Sequence, residues 1–326
     1  MKLSVIIVSY NEKQYLTECV ASCLQQSFGK PYEIIIGDDG SNDGSIELIK
    51  EIAEKYPKIV KWFVMDRENT VSIIPSLRVS KVLKRAFQMA AGEYLMVLSG
   101  DDLICSKYKF ARQALFLDQN PQFSSCYTDF KRFWDDGTEE TATMRCSIGR
   151  ANFWSRMYVH ISCFMFKRNA LNGILNRFCD DTGLLFTILK TGKAGHIPDI
   201  MLAYRQRDKS IMHKADKLEL QLLEISLYQD IRNQKEFYFS SLARFSDSFH
   251  YVYKHKDKLK DYKYKKYLDS AENDNYDFLV QLKDYNNLGL KQKLKIHFLM
   301  LGGRLLKYLF ACTSRADILF HCILKI

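Results

Sequence analysis

The sequence predicts an α/β fold in which helices flank a mostly parallel β-sheet. Short apolar runs at residues 3–8, 34–36, 59–65 and 94–98 alternate with segments whose apolar residues recur at helical spacing. Apolar runs of this length, bounded by turn residues, are typical of strands that are buried on both faces. Because strands and helices alternate, we expect a doubly wound, parallel sheet in the N-terminal part of the chain.

Composition and charge limit the kinds of partner that the protein can have. Apolar residues make up 47% of the 326-residue chain, which is sufficient for a hydrophobic core. The formal net charge of +10 favours an anionic partner, such as nucleic acid, nucleotide phosphates or an acidic membrane surface. Lysine and tyrosine are interleaved at residues 251–267. No nucleic-acid-binding motif accompanies them, so we expect no nucleic acid partner.

Cysteine usage and the N-terminal sequence indicate the cellular compartment. The nine cysteines are scattered and include no CxxC pair, which suits reduced thiols rather than disulfides or a zinc site. Residues 1–4 lead directly into a strand-like segment without the features of a signal peptide. No run reaches the roughly 18 uncharged apolar residues that a spanning helix needs. We therefore expect a cytoplasmic protein, either free or peripheral on the inner face of the cytoplasmic membrane.

Polar loops follow the first two predicted strands. Residues 9–12 join the first strand to a helix predicted at residues 15–24, and such a junction offers free backbone N–H groups to an anion or a nucleobase. Residues 37–45, which read GDDGSNDGS, lead into a helix predicted at residues 46–55. One of their three carboxylates can cap that helix, and another can accept hydrogen bonds from a base or a ribose. The alternative is a plain Asp/Gly turn.

The fourth predicted strand ends in Ser99 and Gly100, followed by two adjacent carboxylates, Asp101 and Asp102. In open α/β sheets, ligands lie beyond the carboxyl ends of the strands. Adjacent acids repel each other unless a cation joins them, and hard divalent cations prefer oxygen ligands. The pair therefore predicts a metal-bridged, phosphate-bearing substrate. The alternative is that these acids cap a helix beginning at Leu103.

Three ordered motifs resemble those of the family 2 glycosyltransferases, and the resemblance covers roughly residues 3–210. The motifs read SVIIVSYNEKQYLTECVASCLQQSF, YEIIIGDDGSNDGS and AAGEYLMVLSGDD. The resemblance implies the GT-A fold of nucleotide-diphospho-sugar transferases and a sugar transfer that inverts the anomeric configuration.

The resemblance also implies roles for residues of the three loops. The first loop would line the nucleotide pocket, and the second would contact the base and the ribose. The third would hold Mg²⁺ or Mn²⁺ on the diphosphate of a nucleoside-diphosphate sugar. The residues in these roles are, in the same order, Ser9, Tyr10 and Glu12; Asp38 and Asp39; and Asp101 with Asp102.

Two positions depart from the family pattern. Ser99 stands where the common DxDD pattern has its first acid, so this site has one carboxylate fewer. Leu83 and Lys84 stand where many relatives carry an Arg-Asn pair, in a helix predicted at residues 76–91. Lys84, or Arg85 beside it, is a candidate for binding phosphate. The alternative is a charge on the solvent-facing side of this helix.

The middle of the chain continues the alternation of elements. We predict a helix at residues 107–117, a strand at 123–130 and a hairpin turn at 135–138. Residues 160–168 resemble the family's strand that returns to the sheet near the active site. Residues 151–159 are aromatic and irregular, and they predict either an acceptor pocket or part of the core.

A second pair of carboxylates, Asp180 and Asp181, precedes an apolar helix that includes residues 184–189. Inverting transfer to a hydroxyl needs a general base on the acceptor side, opposite the departing diphosphate. The resemblance implies that Asp181 is this base and that Asp180 supports it or caps the helix. The alternative is that the helix dipole alone favours two acids at this position.

Residues 195–205 resemble the family's closing strand, and a basic segment follows them to residue 213. By the resemblance, Arg205 and Arg207 are candidates for binding the donor diphosphate, and His213 is a candidate metal ligand. The QxxRW motif of processive synthases is absent from the chain, which predicts transfer of one sugar at a time.

The composition changes near residue 214, which divides a predicted catalytic domain, residues 1–213, from a helical, basic region, residues 214–326. A helix is predicted at residues 215–231, and residues 290–310 combine basic residues with many apolar ones. The latter segment is too charged to span a bilayer, yet it can lie in the interface of one. The alternatives are packing on the catalytic domain or on a second copy of the chain in a homodimer.

Together these features predict a metal-dependent, inverting, non-processive glycosyltransferase of surface polysaccharide biosynthesis. It would move a sugar from a nucleoside diphosphate, UDP in the first instance, to a saccharide or lipid-linked saccharide acceptor. One alternative is a catalytically inactive nucleotide-sugar-binding or scaffold subunit of a membrane-associated polysaccharide assembly, which Ser99 favours. The other is a nucleotidyltransferase, which would need a glycine-rich loop with Arg or Lys after the first strand, and residues 9–12 offer neither.

Overall fold

The computed structural model describes residues 1–67, 75–142, 160–172, 181–207, 216–232 and 247–261, together with Lys293. The strands are β1 (Leu3–Ser9), β2 (Tyr32–Asp38), β3 (Val60–Val64), β4 (Tyr94–Ser99), β5 (Leu103–Ile104), β6 (Phe123–Phe133), β7 (Glu139–Ala142), β8 (Phe164–Lys167) and β9 (Lys193–Arg205). The helices are α1 (Lys13–Leu24), α2 (Ser45–Lys55), α3 (Pro75–Met89), α4 (Lys109–Gln119), α5 (Asp181–Leu189) and α6 (Lys217–Arg232). Residues 247–254 are also helical.

Within the described ranges, nine strands form one sheet in the order β3-β2-β1-β4-β8-β6-β9-β5, with β7 paired to β6. The first four strands in this order are parallel neighbours, which confirms the prediction from the apolar runs. Because β1 pairs with both β2 and β4, the carboxyl ends of these three strands lie side by side. In the register, Ser9 is opposite Asp38, and Val8 is opposite Ser99.

The second half of the sheet mixes parallel and antiparallel pairs. Strand β8 lies antiparallel between β4 and β6, and β9 runs parallel to β6 and antiparallel to β5. The strand expected at residues 160–168 is therefore present as β8, after a 3₁₀ turn at Ile161–Cys163. The hairpin turn at residues 135–138 joins β6 to β7, as predicted.

Side chains that are buried on both faces of the sheet stabilise the central strands. In β1, Leu3 and Val5 through Ile7 are fully buried, and Tyr94 through Leu98 of β4 are at most 4% exposed. Burying a large aliphatic side chain contributes about 1.5–3 kcal/mol, so these continuous apolar runs are stable only between two layers of helices. This packing holds in place the loops that follow β1, β2 and β4.

The alternative prediction, in which a helix begins at Leu103, is wrong. Leu103 and Ile104 form a two-residue strand that pairs with β9, and the next helix begins at Lys109. The backbone N–H of Cys105 donates to the carbonyl of Met201. Because β9 takes these backbone groups, Asp101 and Asp102 do not cap a helix.

The chain divides into two compact units, one of Met1–Gly149 with Tyr158–His213 and the other of Arg150–Met157 with Lys214–Ile326. The sheet and helices α1 to α5 belong to the first unit, and α6 belongs to the second. The boundary predicted between residues 213 and 214 stays a prediction. In the part of the chain that the structure describes, no helix is long and apolar enough to cross a membrane.

Several predictions fall on residues outside the described ranges. These are the aromatic segment at residues 151–159, the basic apolar segment at 290–310 apart from Lys293, Asp180 and His213.

Candidate active site

The loops that follow β1 and β2 are tied to each other by hydrogen bonds. The backbone N–H of Asn11, a residue in the left-handed region with φ of 54°, donates to Ser41 Oγ at 2.8 Å. In return, Asn11 Oδ1 accepts from the N–H of Asn42 at 2.9 Å. The N–H of Glu12 donates to Ser45 Oγ at 3.1 Å. These bonds fix the positions of the side chains that the two loops present.

Asp38 acts inside its own loop. Its carboxylate accepts from the backbone N–H of Ser41 at 2.7 Å and from the Ser41 hydroxyl at 2.6 Å. Burial raises the pKa of Asp38, which is fully hidden from solvent. Ser9, opposite Asp38, is also fully buried, and its carbonyl accepts from the N–H of Asp39. Both residues therefore shape the loop in this structure, and their contact with a nucleotide stays a prediction.

Asp39, the second acid of this loop, is surrounded by two arginines. Arg78 of α3 donates from Nε to Asp39 Oδ2 at 2.6 Å and from Nη2 to the Asp39 carbonyl at 3.1 Å. Arg67 donates from Nη2 to the same carboxylate oxygen at 3.2 Å. Its guanidinium also lies 3.7 Å from the ring centroid of Tyr10 and donates to the Tyr10 hydroxyl. An aromatic face, a carboxylate and two guanidinium groups thus meet at the carboxyl end of β2.

The sequence reasoning did not identify Arg67 or Arg78. It considered Lys84, which is half-buried on α3, and Arg85, which is exposed and donates to the carbonyl of Val64. The signal for Arg78 is its position four residues before Val82, on the buried face of α3. A charged residue at an apolar position of an amphipathic helix indicates a buried polar partner, which here is Asp39.

A second cluster joins the loops that follow β1 and β4. Arg207 Nη2 lies 2.5 Å from Asp101 Oδ2 and donates to Glu12 Oε1 at 3.0 Å. Glu12 and Asp101 are 4% and 5% exposed, so the two carboxyl groups share a largely hidden site. Burial, together with the negative charge of Asp101, raises the pKa of Glu12 well above its usual range. A Cβ at Gly100 would collide with Glu12 Oε2, so a larger residue there would displace the end of the Glu12 side chain.

Asp102 is fully buried and anchors the loop that follows β4. It accepts from the Ser162 hydroxyl at 3.1 Å and from the backbone N–H of Arg205 at 3.2 Å. Burial and the adjacent Asp101 raise the pKa of Asp102 well above its usual range. His160 Nδ1 lies 3.7 Å from Asp102, and burial lowers the pKa of His160 to about 4, so the imidazole is neutral near pH 7. The structure thus gives Asp102 a supporting position.

Arg205, the last residue of β9, clamps the surrounding elements together. It donates from Nε to the carbonyl of Asp101 at 3.1 Å, from Nη1 to Asp135 at 2.9 Å and from Nη2 to Glu18 at 3.0 Å. Its guanidinium lies 4.4 Å from the ring centroid of Tyr15 and 4.5 Å from that of Phe133. Because all three nitrogens of the guanidinium donate hydrogen bonds, Arg205 holds the loop that carries Asp101 in place.

Asp181 is the first residue of α5. Asp181 is exposed, yet desolvation by the surrounding protein raises the pKa of its carboxyl to about 6. A helix N-terminus favours the ionised form of an acid. The upward shift shows that loss of hydration, and not the helix N-terminus, sets its direction. A carboxyl group with a pKa near neutrality is suited to accept a proton.

The arrangement fits a divalent cation that a ligand brings with it. Among the described residues, no three His, Cys, Asp or Glu side chains are close enough together to form a complete metal site. Mg²⁺, however, is usually bound by one or two carboxylates together with substrate phosphates and water. Glu12 Oε2 is buried and has no hydrogen-bond partner within the described part of the chain. This unpaired oxygen, next to Asp101, is a suitable donor for such an ion.

Comparison with known proteins gives a family model and several relatives. Residues 4–175 match the model described as glycosyl transferase family 2. An uncharacterised protein of Mycobacterium tuberculosis is 24% identical over 219 residues, which are 65% of this chain and 61% of that protein. The chain thus spans about three fifths of the length of this curated relative. The poly(ribitol-phosphate) beta-glucosyltransferase of Bacillus spizizenii is 31% identical over 119 residues, which are 35% of this chain and 18% of that enzyme.

Solved structures resemble most of the chain. Staphylococcus aureus TarS 1–349 in complex with UDP-GlcNAc has a TM-score of 0.63 at 19% identity, covering 94% of this chain and 91% of that chain. The mannosyltransferase PcManGT of Pyrobaculum calidifontis, in complex with GDP-Man and Mn²⁺, has a TM-score of 0.52 at 14% identity, covering 96% of this chain and 88% of that chain. At these identities the likeness shows the fold, which is the GT-A fold expected from the sequence.

Proposed function

Because the chain belongs to glycosyl transferase family 2, we propose that it is a metal-dependent, inverting and non-processive glycosyltransferase. It transfers one sugar from a nucleoside diphosphate, UDP in the first instance, to a saccharide or lipid-linked saccharide acceptor in surface polysaccharide biosynthesis. The observation that carries this proposal is that Glu12, Asp39 and Asp101 are buried acids in the loops at the carboxyl ends of three adjacent parallel strands. Ligands of open α/β sheets bind at this edge.

The nucleoside of the donor is assigned to the cluster at the end of β2. Tyr10 offers an aromatic face, and Asp39 offers a carboxylate that is positioned by Arg78. A carboxylate accepts hydrogen bonds from ribose hydroxyls or a base N–H. The proposal of UDP is supported by TarS, which was solved with UDP-GlcNAc. A guanosine nucleotide is the alternative donor to test, because PcManGT was solved with GDP-Man.

The diphosphate and its metal are assigned to the cluster at the end of β4. Asp101, with Glu12 beside it, would hold Mg²⁺ or Mn²⁺, while Asp102 supports the loop from its buried position. When bound, such an ion stabilises the negative charge that develops on the departing diphosphate. Arg207 and Arg205 supply positive charge at the same place. Lys84 and His213 stay candidates on the sequence resemblance alone.

Asp181 is assigned the proton transfer. Its carboxylate accepts the proton of the acceptor hydroxyl as the hydroxyl oxygen forms a bond to the anomeric carbon. The bond between that carbon and the diphosphate oxygen breaks on the opposite side, which inverts the configuration. A pKa of about 6 leaves the carboxylate largely ionised near pH 7 while keeping it basic enough to accept a proton.

Exposed lysines of the second unit support the proposed acceptor and location. Lys254 and Lys258 of this unit are exposed. Basic residues attract the anionic lipids of the cytoplasmic leaflet. We therefore assign the protein a peripheral position on the inner face of the membrane, where a lipid-linked saccharide would be available to it.

The proposal is tested by calorimetric titration of the purified chain with UDP, GDP, dTDP and CMP, each with and without Mn²⁺. We expect one nucleotide to bind selectively, with weaker binding when Mn²⁺ is omitted or when Asp101 is replaced in Asp101→Asn. Glu140→Gln is the matched control, because Glu140 pairs with Arg132 on the exposed β6–β7 hairpin. A folded protein that binds none of the four nucleotides would contradict the proposal. Slow hydrolysis of the corresponding nucleotide sugar would distinguish an enzyme from an inactive binding subunit.

A further inference from the structure

The position of Arg207 raises a question about how a metal ion reaches Asp101. Arg207 lies two residues after β9, and its guanidinium contacts both Asp101, at 2.5 Å, and Glu12, at 3.0 Å. These are the two acids that the proposed function assigns to the metal. A guanidinium group and a divalent ion cannot share the same carboxylate oxygen, because both need its lone pairs and the two positive charges repel each other.

The surroundings hold Arg207 in this position. Its guanidinium lies 5.3 Å from the ring centroid of Tyr15, whose ring also contacts Arg205. Arg205 in turn binds the carbonyl of Asp101, so the chain just before Arg207 is fixed to the loop that carries the acid. The side chain of Arg207 is nevertheless 23% exposed, whereas those of Glu12 and Asp101 are 5% and 7% exposed. The acids are therefore fixed and hidden, and the arginine is the member that solvent reaches.

The pairing is also incomplete. Arg207 engages Glu12 through Oε1, while Oε2 of the same buried carboxyl has no hydrogen-bond partner among the described residues. An unpaired, buried carboxyl oxygen is costly, and a divalent ion would satisfy it together with Asp101. The site thus has more donor oxygens than one arginine uses.

We propose that Arg207 occupies the cation position of the active site in the nucleotide-free enzyme, and that Glu12 and Asp101 accept a divalent ion only when the donor diphosphate has drawn the guanidinium away. Arginine binds diphosphate oxygens as readily as carboxylates, so the incoming donor offers it an equivalent partner. The ion and the nucleotide then bind as a linked pair, and free metal alone binds weakly. This inference rests on the proposed function, since it needs a diphosphate ligand at the same site.

The test measures Mn²⁺ binding to the full chain without any nucleotide, by electron paramagnetic resonance of the free ion. Three proteins are compared: the wild type, Arg207→Gln, and the control Arg132→Gln, whose arginine pairs with the exposed Glu140. We expect Arg207→Gln to bind Mn²⁺ more tightly than the wild type by about 5- to 150-fold, the usual range of coupling between two sites. Arg132→Gln should match the wild type. The gain should disappear when Asp101→Asn is added to Arg207→Gln.

A second titration includes UDP. Addition of UDP should raise the Mn²⁺ affinity of the wild type by a larger factor than that of Arg207→Gln, because the variant has no guanidinium to displace. If Arg207→Gln does not fold, Arg207→Lys replaces it, and we expect a smaller gain because one ammonium group cannot bridge both acids in the same way.

The outcomes separate the two proposals. Equal Mn²⁺ affinity of the folded variant and the wild type, in a protein that binds UDP with Mn²⁺, would overturn the role of Arg207 and leave the proposed function standing. A gain that survives Asp101→Asn would also overturn it, because the ion would then lie elsewhere. Failure of the wild type to bind any nucleotide diphosphate, with or without Mn²⁺, would overturn the proposed function itself.

Discussion

At the scale of single residues, the ionisation of Asp181 should control the rate of transfer. Its pKa of about 6 lies above the usual value because loss of hydration opposes the charged form. A general base acts as the carboxylate, so activity should rise with pH through about 6 and level off above it. We expect kcat/KM of the wild type to fall about tenfold for each pH unit well below 6.

The Asp181→Asn variant tests this assignment. Its transfer rate should be lower by about 10²–10⁴-fold, since an amide cannot accept the proton, and the acid limb of the pH profile should disappear. Its affinity for UDP with Mn²⁺ should be unchanged, which serves as the internal control for folding and donor binding. Full transfer activity in Asp181→Asn would show that another group is the base, and the pair at residues 180 and 181 would then serve the helix N-terminus only.

A second prediction at this scale concerns Arg78. The 2.6 Å contact between Arg78 and Asp39 is nearly closed to solvent, with side chains 6% and 8% exposed. Breaking one partner of a buried ion pair costs about 3–5 kcal/mol, less here because Arg67 also contacts Asp39. Arg78→Gln should therefore reduce both the free energy of unfolding and the affinity for UDP, measured by urea denaturation and calorimetry.

Arg85→Gln is the matched control for Arg78→Gln. Arg85 lies on the same helix, but it is exposed. It donates a 3.3 Å hydrogen bond to the carbonyl of Val64 and a 4.0 Å contact to the Met65 sulfur, and its guanidinium lies 4.6 Å from the ring centroid of Phe63. This variant should keep nucleotide affinity and stability close to those of the wild type. If both variants lose UDP affinity equally, general positive charge on α3, and not the position of Asp39, would be responsible.

At the scale of elements, the junction between β1 and β4 depends on Gly92. A Cβ at this position would collide with the backbone N of Ser4 and lie 2.7 Å from Leu3 C and 2.7 Å from the Tyr94 carbonyl oxygen. Backbone atoms of two paired strands cannot move aside as a side chain can. Gly92→Ala should lower the free energy of unfolding by about 3 kcal/mol, the upper end of the usual cost of overpacking.

Gly137→Ala provides a comparison for Gly92→Ala. Gly137 has φ of 87° in the β6–β7 turn, and a Cβ there would meet no atom within 4 Å. Only the backbone strain of the left-handed region remains, which costs about 1 kcal/mol. Urea denaturation should therefore rank the losses as Gly92→Ala above Gly137→Ala. The reverse order would mean that β1 and β4 separate more easily than their close approach implies.

The sequence could predict strands that have a local apolar signal, but not strands that depend on long-range pairing. Strands β1 to β4 were predictable because each is a continuous apolar run between turn residues, a local signal. Strand β5 was not, because two residues carry no periodicity and its partner, β9, lies about a hundred positions later in the chain. The insertion of antiparallel β8 between β4 and β6 is likewise a long-range choice of partner, so neighbouring residues carry no information about it.

For the site, acidic loops were predictable from composition and position, whereas their partners were not. Asp39 and Asp101 follow predicted strands, yet their ionic partners Arg78 and Arg207 are 39 and 106 positions away. Asp102 looked equivalent to Asp101 in the sequence, and only the packing of Ser162 and Arg205 against it distinguishes the two.

At the scale of the whole molecule, the net charge of +10 should produce binding to anionic membranes. Each basic residue near an anionic surface contributes about 1 kcal/mol, and the attraction decays within the Debye length. We expect the full chain to sediment with vesicles that contain phosphatidylglycerol and not with vesicles of phosphatidylcholine alone. Raising the salt from about 0.1 M to about 1 M shortens the Debye length from about 10 Å to about 3 Å and should release the protein.

Charge reversal can locate the surface that binds. Lys254→Glu with Lys258→Glu changes two exposed lysines of the second unit, and Lys58→Glu with Lys81→Glu changes two exposed lysines of the first unit by the same total charge. If the second unit docks on the membrane, the first pair should weaken vesicle binding and the second pair should not. Equal weakening would assign the effect to net charge alone, and the membrane-docking role of the second unit would then be wrong.

Unchanged binding after deletion of residues 288–326 would exclude that segment as an interfacial anchor, because a buried apolar face contributes binding energy that salt does not screen.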